Sequence, residues 1–185
     1  MNLKIKVENI IICVFFIALG VLLMPVYHMA NLIDRLLILN FIVLICGFTL
    51  GWQYGFVCGV LTPLAIRLCL REMLVFYPDG LSLMIELSTC GLASGIIYSF
   101  NVIKNNILNI YFALITTILI ERVVGGLFKI IYYSISDIGI YGIKDLIKDF
   151  FVTPIFGILL QIMFIPAIVI TFEKRKNLRI KKQNQ

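Results

Sequence analysis

Residues 46–63 read CGFTLGWQYGFVCGVLTP and decide how this chain folds. Glycine recurs at every fourth position, as Gly47, Gly51, Gly55 and Gly59, inside otherwise apolar sequence. Glycine costs a helix about 1 kcal/mol relative to alanine, so four glycines at this spacing indicate close packing against the backbone. The segment predicts two helices joined by a tight turn. Two interpretations stay open: helix packing within this chain, and a docking surface for another membrane subunit.

The composition is typical of an integral membrane protein. The 185 residues are 61% hydrophobic and 14% charged, whereas soluble domains are about 45–50% apolar and about 25% charged. The apolar run from Val7 to about Met29 is too long for a signal-peptide core, and no small-residue cleavage site follows it, so we expect it to be retained as a helix. The five cysteines lie in apolar runs without a CxxC pair, which favours small buried side chains over disulfides or metal ligands.

Six segments approach the roughly 20 apolar residues that a membrane-spanning helix needs. We expect an all-α integral membrane protein, a bundle of six transmembrane helices with these approximate bounds: 7–28, 33–50, 54–70, 80–100, 108–132 and 153–172. A single membrane domain would cover residues 1–173, and a basic cytoplasmic tail residues 174–185. A short amphipathic helix is predicted at 143–150, lying along the outer surface.

The distribution of Lys and Arg predicts the orientation. With a cytoplasmic N-terminus, nine basic residues fall on the inside, namely Lys4, Lys6, Lys104, Lys174, Arg175, Lys176, Arg179, Lys181 and Lys182. Five fall on the outside, namely Arg35, Arg67, Arg71, Lys144 and Lys148. We therefore expect a multi-pass cell-membrane protein with both termini in the cytoplasm. Its basic tail would rest on anionic lipid headgroups, which leaves no need for a nucleic-acid partner.

Polar side chains inside spans are functional candidates because each charge costs about 2.5–3.5 kcal/mol on insertion scales. In the predicted orientation they gather in the outer half of the bundle, whereas the inner half holds mostly Gly, Ala and aliphatic residues. We expect a substrate site open to the outside, formed by His28, Asn40, Arg67, Tyr77, Glu86, Thr89, Arg122 and Gln161. For Glu86 and Arg122 a structural pair within the bundle is the alternative.

Adjacent residues point about 100° apart on a helix, so Glu121 and Arg122 need different partners, and the sequence leaves open which one faces the site. Together with Lys129, the arginines slightly outnumber the acids in the spans. Because an arginine fork suits a carboxylate or a phosphate, we expect a small anionic or zwitterionic solute.

No catalytic pattern of the GxSxG, HExxH or Walker type occurs, so an enzyme is not indicated and no cofactor or metal is expected. A lone histidine, His28, does not suffice for a metal site. Two alternatives to a solute-capture protein stay open. A stand-alone secondary transporter predicts inverted repeats and polar residues through the full depth. A non-transporting membrane scaffold predicts that Glu86 and Arg122 can be replaced together by apolar residues.

Three stretches, LICGFTLGWQYGFVCGVLTPL, MIELSTCGLASGIIYSF and ITTILIERVVGGLF, resemble the substrate-binding (S) subunits of energy-coupling factor (ECF) vitamin transporters. They follow a GxxxGxxxGxxxGxxTP pattern, an ELxxYGLxSGLLY pattern and a GRxxxG pattern, in that order. The resemblance covers about residues 36–130. The chain departs from the family patterns at Asn40, where histidine is expected, at Ile42 (proline), at Cys90 (tyrosine) and at Glu121 (glycine).

The resemblance implies a division of labour. This chain would capture a vitamin or vitamin-like nutrient from outside, while a membrane coupling protein and two cytoplasmic ATPases supply the energy. The first three helices would dock on the coupling protein through small residues, namely Ala18, Gly20, Gly47, Gly51, Gly55 and Gly59. Among such nutrients, the arginines favour one that carries a carboxylate, such as pantothenate; folate-like and pyridoxine-like ligands and queuosine precursors stay open.

Overall fold

The computed structural model describes residues 3–27, 32–70, 79–136 and 155–183, and all regular structure in these ranges is α-helical. The helices are α1 Leu3–Tyr27, α2 Leu32–Leu50, α3 Trp52–Leu70, α4 Asp79–Ser99, α5 Asn106–Ser136 and α6 Ile155–Gln183. The all-α prediction is thus confirmed for the described residues, and each of the six predicted segments falls on one helix. The predicted surface helix at 143–150 lies outside the described residues.

The last helix, α6, extends further than the sequence predicted. Its expected end was near Phe172, but the helix continues through the Lys- and Arg-rich residues to Gln183. Lysine, arginine and glutamine have good helix propensity, so the loss of apolar character after Phe172 does not end the helix. Pro166 lies inside α6, where it leaves the carbonyl group four residues earlier without an N–H partner.

Three helical stretches are long and apolar enough, by length and composition, to cross a membrane: Gly80–Ser99, Asn106–Ile135 and Gly157–Lys174. Two shorter apolar stretches, Val7–Leu23 and Leu39–Leu50, lie in α1 and α2. The exposed face of α5 is apolar along its length, with Leu108, Phe112, Ile115, Leu119, Val123, Leu127 and Ile131 all exposed. A surface helix of a water-soluble protein carries polar residues on that face, so these helices have the character of a membrane protein.

Helices α2 and α4 form the centre of the bundle. Helix α2 packs on α1, α3, α4 and α6, and α4 packs on α2, α3 and α5. Residues 42–46 of α2 are buried on every side of the helix, which explains why its sequence shows no polar face. The hydrophobic core has two parts, one among α1–α4 around Cys46 and Leu87, and one among α2, α4, α5 and α6 around Leu44 and Leu114.

The cysteines pack mainly as small apolar side chains. Cys13, Cys46, Cys58 and Cys90 are buried free thiols, as expected. Cys69, which was also expected to be buried, is exposed near the end of α3.

The bundle has two distinguishable ends. At the Gly51 end, α2 turns into α3 at Gly51 and residues 100–105 join α4 to α5. At the opposite end, called the Lys129 end, Lys129 of α5 approaches Glu86 of α4. Helices α2, α4 and α6 run from the Lys129 end to the Gly51 end, and α1, α3 and α5 run the other way.

Candidate functional site

Glu121, near the middle of α5, is the most deeply buried charged side chain in the described part of the chain, with 1% of its surface exposed. Its carboxylate accepts a hydrogen bond from Nδ2 of Asn40 on α2 and lies beside the thiol of Cys90 on α4. Three helices thus meet at one carboxylate. A buried carboxyl group is tolerated only when it is hydrogen-bonded, so the amide of Asn40 allows α5 to place Glu121 against α2.

A second carboxylate, Glu86 on α4, lies nearer the Lys129 end. Its Oε1 is 3.5 Å from Nζ of Lys129 and accepts a hydrogen bond from Oγ of Ser82 at 3.3 Å. Gly125 on α5 provides the space, since a Cβ at that position would lie 2.4 Å from Cγ of Glu86. Lys129 follows Gly125 by one helical turn. The same face of α5 therefore provides both the space for the Glu86 side chain, at Gly125, and its positively charged partner, Lys129.

Arg122 completes the charges of this region. Its side chain is half-buried, and its guanidinium attracts the Glu121 carboxylate, which the Glu86 carboxylate repels. Two carboxylates therefore meet two cations between α4 and α5. Glu86 forms its ion pair with Lys129. The alternative predicted from the sequence, a structural pair of Glu86 and Arg122, is therefore not the pair that the structure shows. The difference arises because Gly125, between Glu121 and Lys129, is the residue that faces Glu86.

Several buried polar atoms in this region have no hydrogen-bond partner in the described part of the chain: Oγ1 of Thr117, Nε of Arg122 and Nε2 of Gln161. Thr117 is fully buried one turn before Glu121, and Gln161 is 3% exposed. Native proteins bond nearly all of their buried polar atoms, with water or a ligand completing what the chain does not supply. These atoms are candidates for hydrogen bonds to a water molecule or a ligand.

Gln161 reaches the same depth as Glu121 from the other side. Val169 of α6 and Phe48 of α2 line one cavity at the Gly51 end. The two helices run in the same direction. Gln161 comes eight residues before Val169, and Asn40 comes eight residues before Phe48. At 1.5 Å per residue, both therefore lie about 12 Å nearer the Lys129 end, at the same depth in the bundle. Asn40 is bonded to Glu121, which places Gln161 at the level of that carboxylate. The following residues are called the polar cluster: Asn40, Ser82, Glu86, Thr117, Glu121, Arg122, Lys129 and Gln161.

The predicted site residues divide into three groups. Asn40, Glu86 and Gln161 are buried, and Thr89 and Arg122 are half-buried. Arg67, in contrast, is exposed in the last turn of α3. His28 and Tyr77 lie outside the described residues. That all of them form one substrate site stays a prediction.

Four members of the polar cluster, Ser82, Thr117, Glu121 and Lys129, were not among the predicted site residues. The signal for two of them was present in the sequence: Glu121, Gly125 and Lys129 follow each other at helical spacing, so an acid and a base flank a glycine on one face. Thr117 continues the same spacing by one turn.

Gly47, Gly51, Gly55 and Gly59 are called the glycine ladder, and all of them except Gly51 pack closely against another helix of this chain. A Cβ at Gly55 would lie 2.3 Å from the carbonyl oxygen of Gly91, and one at Gly59 would lie 2.4 Å from that of Leu87. A Cβ at Gly47 would overlap the side chain of Ser94, so α4 is the neighbour in each case. Packing within the chain, the first of the two interpretations, is what these contacts show. A docking role for the same glycines stays a prediction.

The other predicted docking residues have different surroundings. Gly51 has φ of +96°, a conformation that glycine adopts without strain, and no atom lies within 4 Å of a Cβ built there. Gly20 is buried against Thr62 of α3. Ala18 is exposed on α1, between the exposed side chains of Phe15 and Leu22.

The Gly51 end has a polar group of its own. Glu173 of α6 accepts hydrogen bonds from the hydroxyl of Tyr98 and from Nδ2 of Asn106, the latter at 2.5 Å. These residues line a cavity of about 320 Å³ together with Phe48 and Val169. The sequence predicted that the half of the bundle at the Gly51 end holds mostly Gly, Ala and aliphatic residues. That description is incomplete, because polar side chains form hydrogen bonds between the helix ends there.

Within the described ranges, no group of three or more His, Cys, Asp or Glu side chains is placed to hold a metal ion. Comparisons of this chain with known protein families, with curated proteins and with solved structures found no match.

Proposed function

We propose that this chain is the substrate-capture membrane subunit of an ECF-type importer for a vitamin or a related small nutrient. In this proposal the six helices all span the cell membrane, both termini lie in the cytoplasm, and the Lys129 end faces outward. A membrane coupling protein and two cytoplasmic ATPases provide the energy. The support from sequence is the ordered set of three motifs across residues 36–130.

The observation that carries the proposal is the polar cluster with its unpartnered donors. Asn40 and Glu121 hold each other at the centre of the bundle, while Nε of Arg122 and Nε2 of Gln161 are buried without a partner among the described residues. Leaving a buried donor unbonded costs about 1–3 kcal/mol, so a purely structural cluster gains nothing from these two groups. A solute that accepts both hydrogen bonds removes that cost when it binds.

The position of the polar cluster supports capture over conduction. Between the polar cluster and the Gly51 end, α2, α5 and α6 pack together through apolar side chains, namely Leu44, Ile110, Leu114, Ile118 and Ile165. An ion or proton path requires polar groups through the full depth of the membrane. An apolar floor below a polar cluster instead suits a site that is loaded from one side.

The docking part of the proposal rests on α1. Its exposed face is apolar and bulky at Ile11, Val14, Phe15 and Leu22, with Ala18 as a small residue among them. Small residues on membrane-exposed faces let another helix approach closely. A helix of the coupling protein would seat against α1 at Ala18.

Solute binding by the purified protein tests the proposal. The full chain, in lipid nanodiscs without ATP, is screened by native mass spectrometry against the B vitamins and their precursors. One solute should bind at a ratio of one to one. Failure of every compound to bind would contradict capture.

Uptake into proteoliposomes separates the proposal from a stand-alone transporter. The chain alone should not concentrate the bound solute under a proton or sodium gradient, whereas the chain with the coupling protein, both ATPases and ATP should. Accumulation by the chain alone would identify a secondary transporter instead.

A further inference from the structure

We propose that the polar cluster recognises an uncharged nitrogen heterocycle, through an edge on which a hydrogen-bond acceptor stands next to a donor. This inference rests on the proposed capture function and names the class of its substrate. It departs from the expectation of an anion, which depended on counting Arg67 among the site residues.

The first step is the charge of the polar cluster. Lys129 pairs with Glu86 at 3.5 Å, and Arg122 attracts Glu121, while Arg67 is exposed in the last turn of α3. The polar cluster thus holds as many acidic as basic side chains, and Glu86 and Lys129 already pair with each other. An added carboxylate would have to compete with Glu86 and Glu121 for Lys129 and Arg122, and a charge without a partner of its own in a low-dielectric site is strongly unfavourable. The solute that fits is uncharged.

The second step is the pattern of donors and acceptors. Nε of Arg122 and Nε2 of Gln161 are buried donors without partners in the described part of the chain. Glu121 is an acceptor: a carboxylate has about four lone-pair sites, and Asn40 and Cys90 occupy only part of them. The solute must therefore accept hydrogen bonds and also donate one. A carboxylate ion only accepts, whereas the C=O and N–H edge of a lactam, a pyrimidinone or a ring carboxamide does both.

The third step is the depth at which these groups act. The fully buried Thr117 lies one turn below Glu121, its hydroxyl has no partner among the residues that the structure describes, and the apolar side chains of Ile118 and Leu114 lie nearby on α5. A solute at the level of Glu121 therefore meets polar groups at its edge and apolar groups beneath. This combination suits a flat ring with a polar edge better than a flexible polar chain.

The inference is tested with matched pairs that differ by one negative charge. The probes are nicotinamide against nicotinate, uracil against orotate, and pyridoxine against 4-pyridoxate, with pantothenate as a further anion; affinities for the full chain in nanodiscs are measured by titration. We expect the uncharged member of at least one pair to bind about tenfold or more tightly than its acid. Binding of an acid or of pantothenate as tightly as any uncharged probe would overturn the inference and leave capture standing. If neither these probes nor the vitamin screen yields a binder, both proposals fail together.

A variant tests whether Glu121 reads the donor of the solute. Glu121→Gln keeps the shape but removes one negative charge, so the uncharged probe should bind about tenfold more weakly while its acid gains in relative affinity. Glu8→Gln, at an exposed glutamate of α1, is the matched control and should change neither affinity. Equal weakening of both members of the pair would show that Glu121 only supports the fold and would overturn the assignment. Gln161→Leu is a second test variant. It should weaken binding of the uncharged probe about tenfold, and an unchanged affinity would overturn the proposed role of Gln161 as a donor to the solute.

Discussion

Asn40 and Glu121 are 81 residues apart in the sequence, and the amide of the first donates a hydrogen bond to the carboxylate of the second in the buried centre of the bundle. Asn40 is 5% exposed and Glu121 is 1% exposed, so water does not replace this bond if it is lost. The hydrogen bond therefore joins α2 to α5 and orients the carboxylate of Glu121.

Replacing Asn40 alone should cost more stability than replacing both partners. Asn40→Leu leaves the Glu121 carboxylate without its amide donor, and we expect a loss of about 1–3 kcal/mol in the free energy of unfolding, read as a lower melting temperature in detergent. Asn40→Leu with Glu121→Leu should recover part of that loss, because no buried charge is then left unbonded. A double variant less stable than the sum of the two single changes would contradict this account.

The glycine ladder predicts two different costs for the same small change. Gly55→Ala places a Cβ against the carbonyl oxygen of Gly91, which belongs to rigid backbone, so we expect a loss of about 1–3 kcal/mol and a disrupted α3–α4 contact. Gly51→Ala meets open space but must adopt a positive φ, at a cost of about 1–2 kcal/mol. Thermal unfolding of variants with side chains of increasing size distinguishes the two causes. The melting temperature should fall steeply with side-chain size at position 55 and only slightly at position 51. If the melting temperature depended equally on side-chain size at both positions, the packing of Gly55 against Gly91 would not be close.

Gly125→Ala should act through Glu86 rather than through the backbone. The new Cβ would overlap the side chain of Glu86, which can rotate away, so the melting temperature should fall less than it does for Gly55→Ala. The rotation takes Glu86 from Lys129, and we expect solute affinity to drop several-fold. Ser82→Ala, which removes only the 3.3 Å hydrogen bond to Glu86, is the control and should change affinity less. An unchanged affinity in Gly125→Ala would remove Glu86 from the binding site.

Ala18→Trp should separate docking from capture. The side chain of Ala18 is exposed, so a bulky apolar residue is tolerated in the lipid-facing surface, and both folding and solute binding should be unchanged. Uptake driven by the coupling protein should be lost, because the close approach of its helix is blocked. Leu119→Trp, on the exposed face of α5, makes the same change away from α1 and should leave uptake intact. Normal uptake in Ala18→Trp would place the docking surface elsewhere.

The sequence predicted the helices well because their signal is local. Apolar length marked each helix, and the glycine spacing marked the turn at Gly51. The predicted end of the last helix, near Phe172, was wrong. The apolar run ends there, but the lysines that follow have good helix propensity and the helix continues. The presence of polar groups in apolar helices also pointed correctly to Asn40, Glu86 and Gln161 as buried side chains.

The pairing of those groups could not be predicted, because it depends on how each helix is rotated. The ladder of glycines indicated a close neighbour but not that α4 is that neighbour. The contact of Gly55 with Gly91 sets the register of α4 against α3, and the separate contact of α4 with α5 places Glu86 opposite Gly125 rather than opposite Arg122. Two helix contacts together thus decide which acid meets which base.

The continuity of α6 has a mechanical consequence. Gln161 and the basic residues up to Gln183 belong to a single rod about 33 Å long, with Pro166 as the weakest point of its hydrogen-bond ladder. Glu173 is hydrogen-bonded to Tyr98 and Asn106 at the Gly51 end, so Pro166 lies between Gln161 and a point at which α6 is held to its neighbours. If α6 bends, Pro166 is where bending costs least, so a displacement of Gln161 would leave Glu173 and the basic residues beyond it in place.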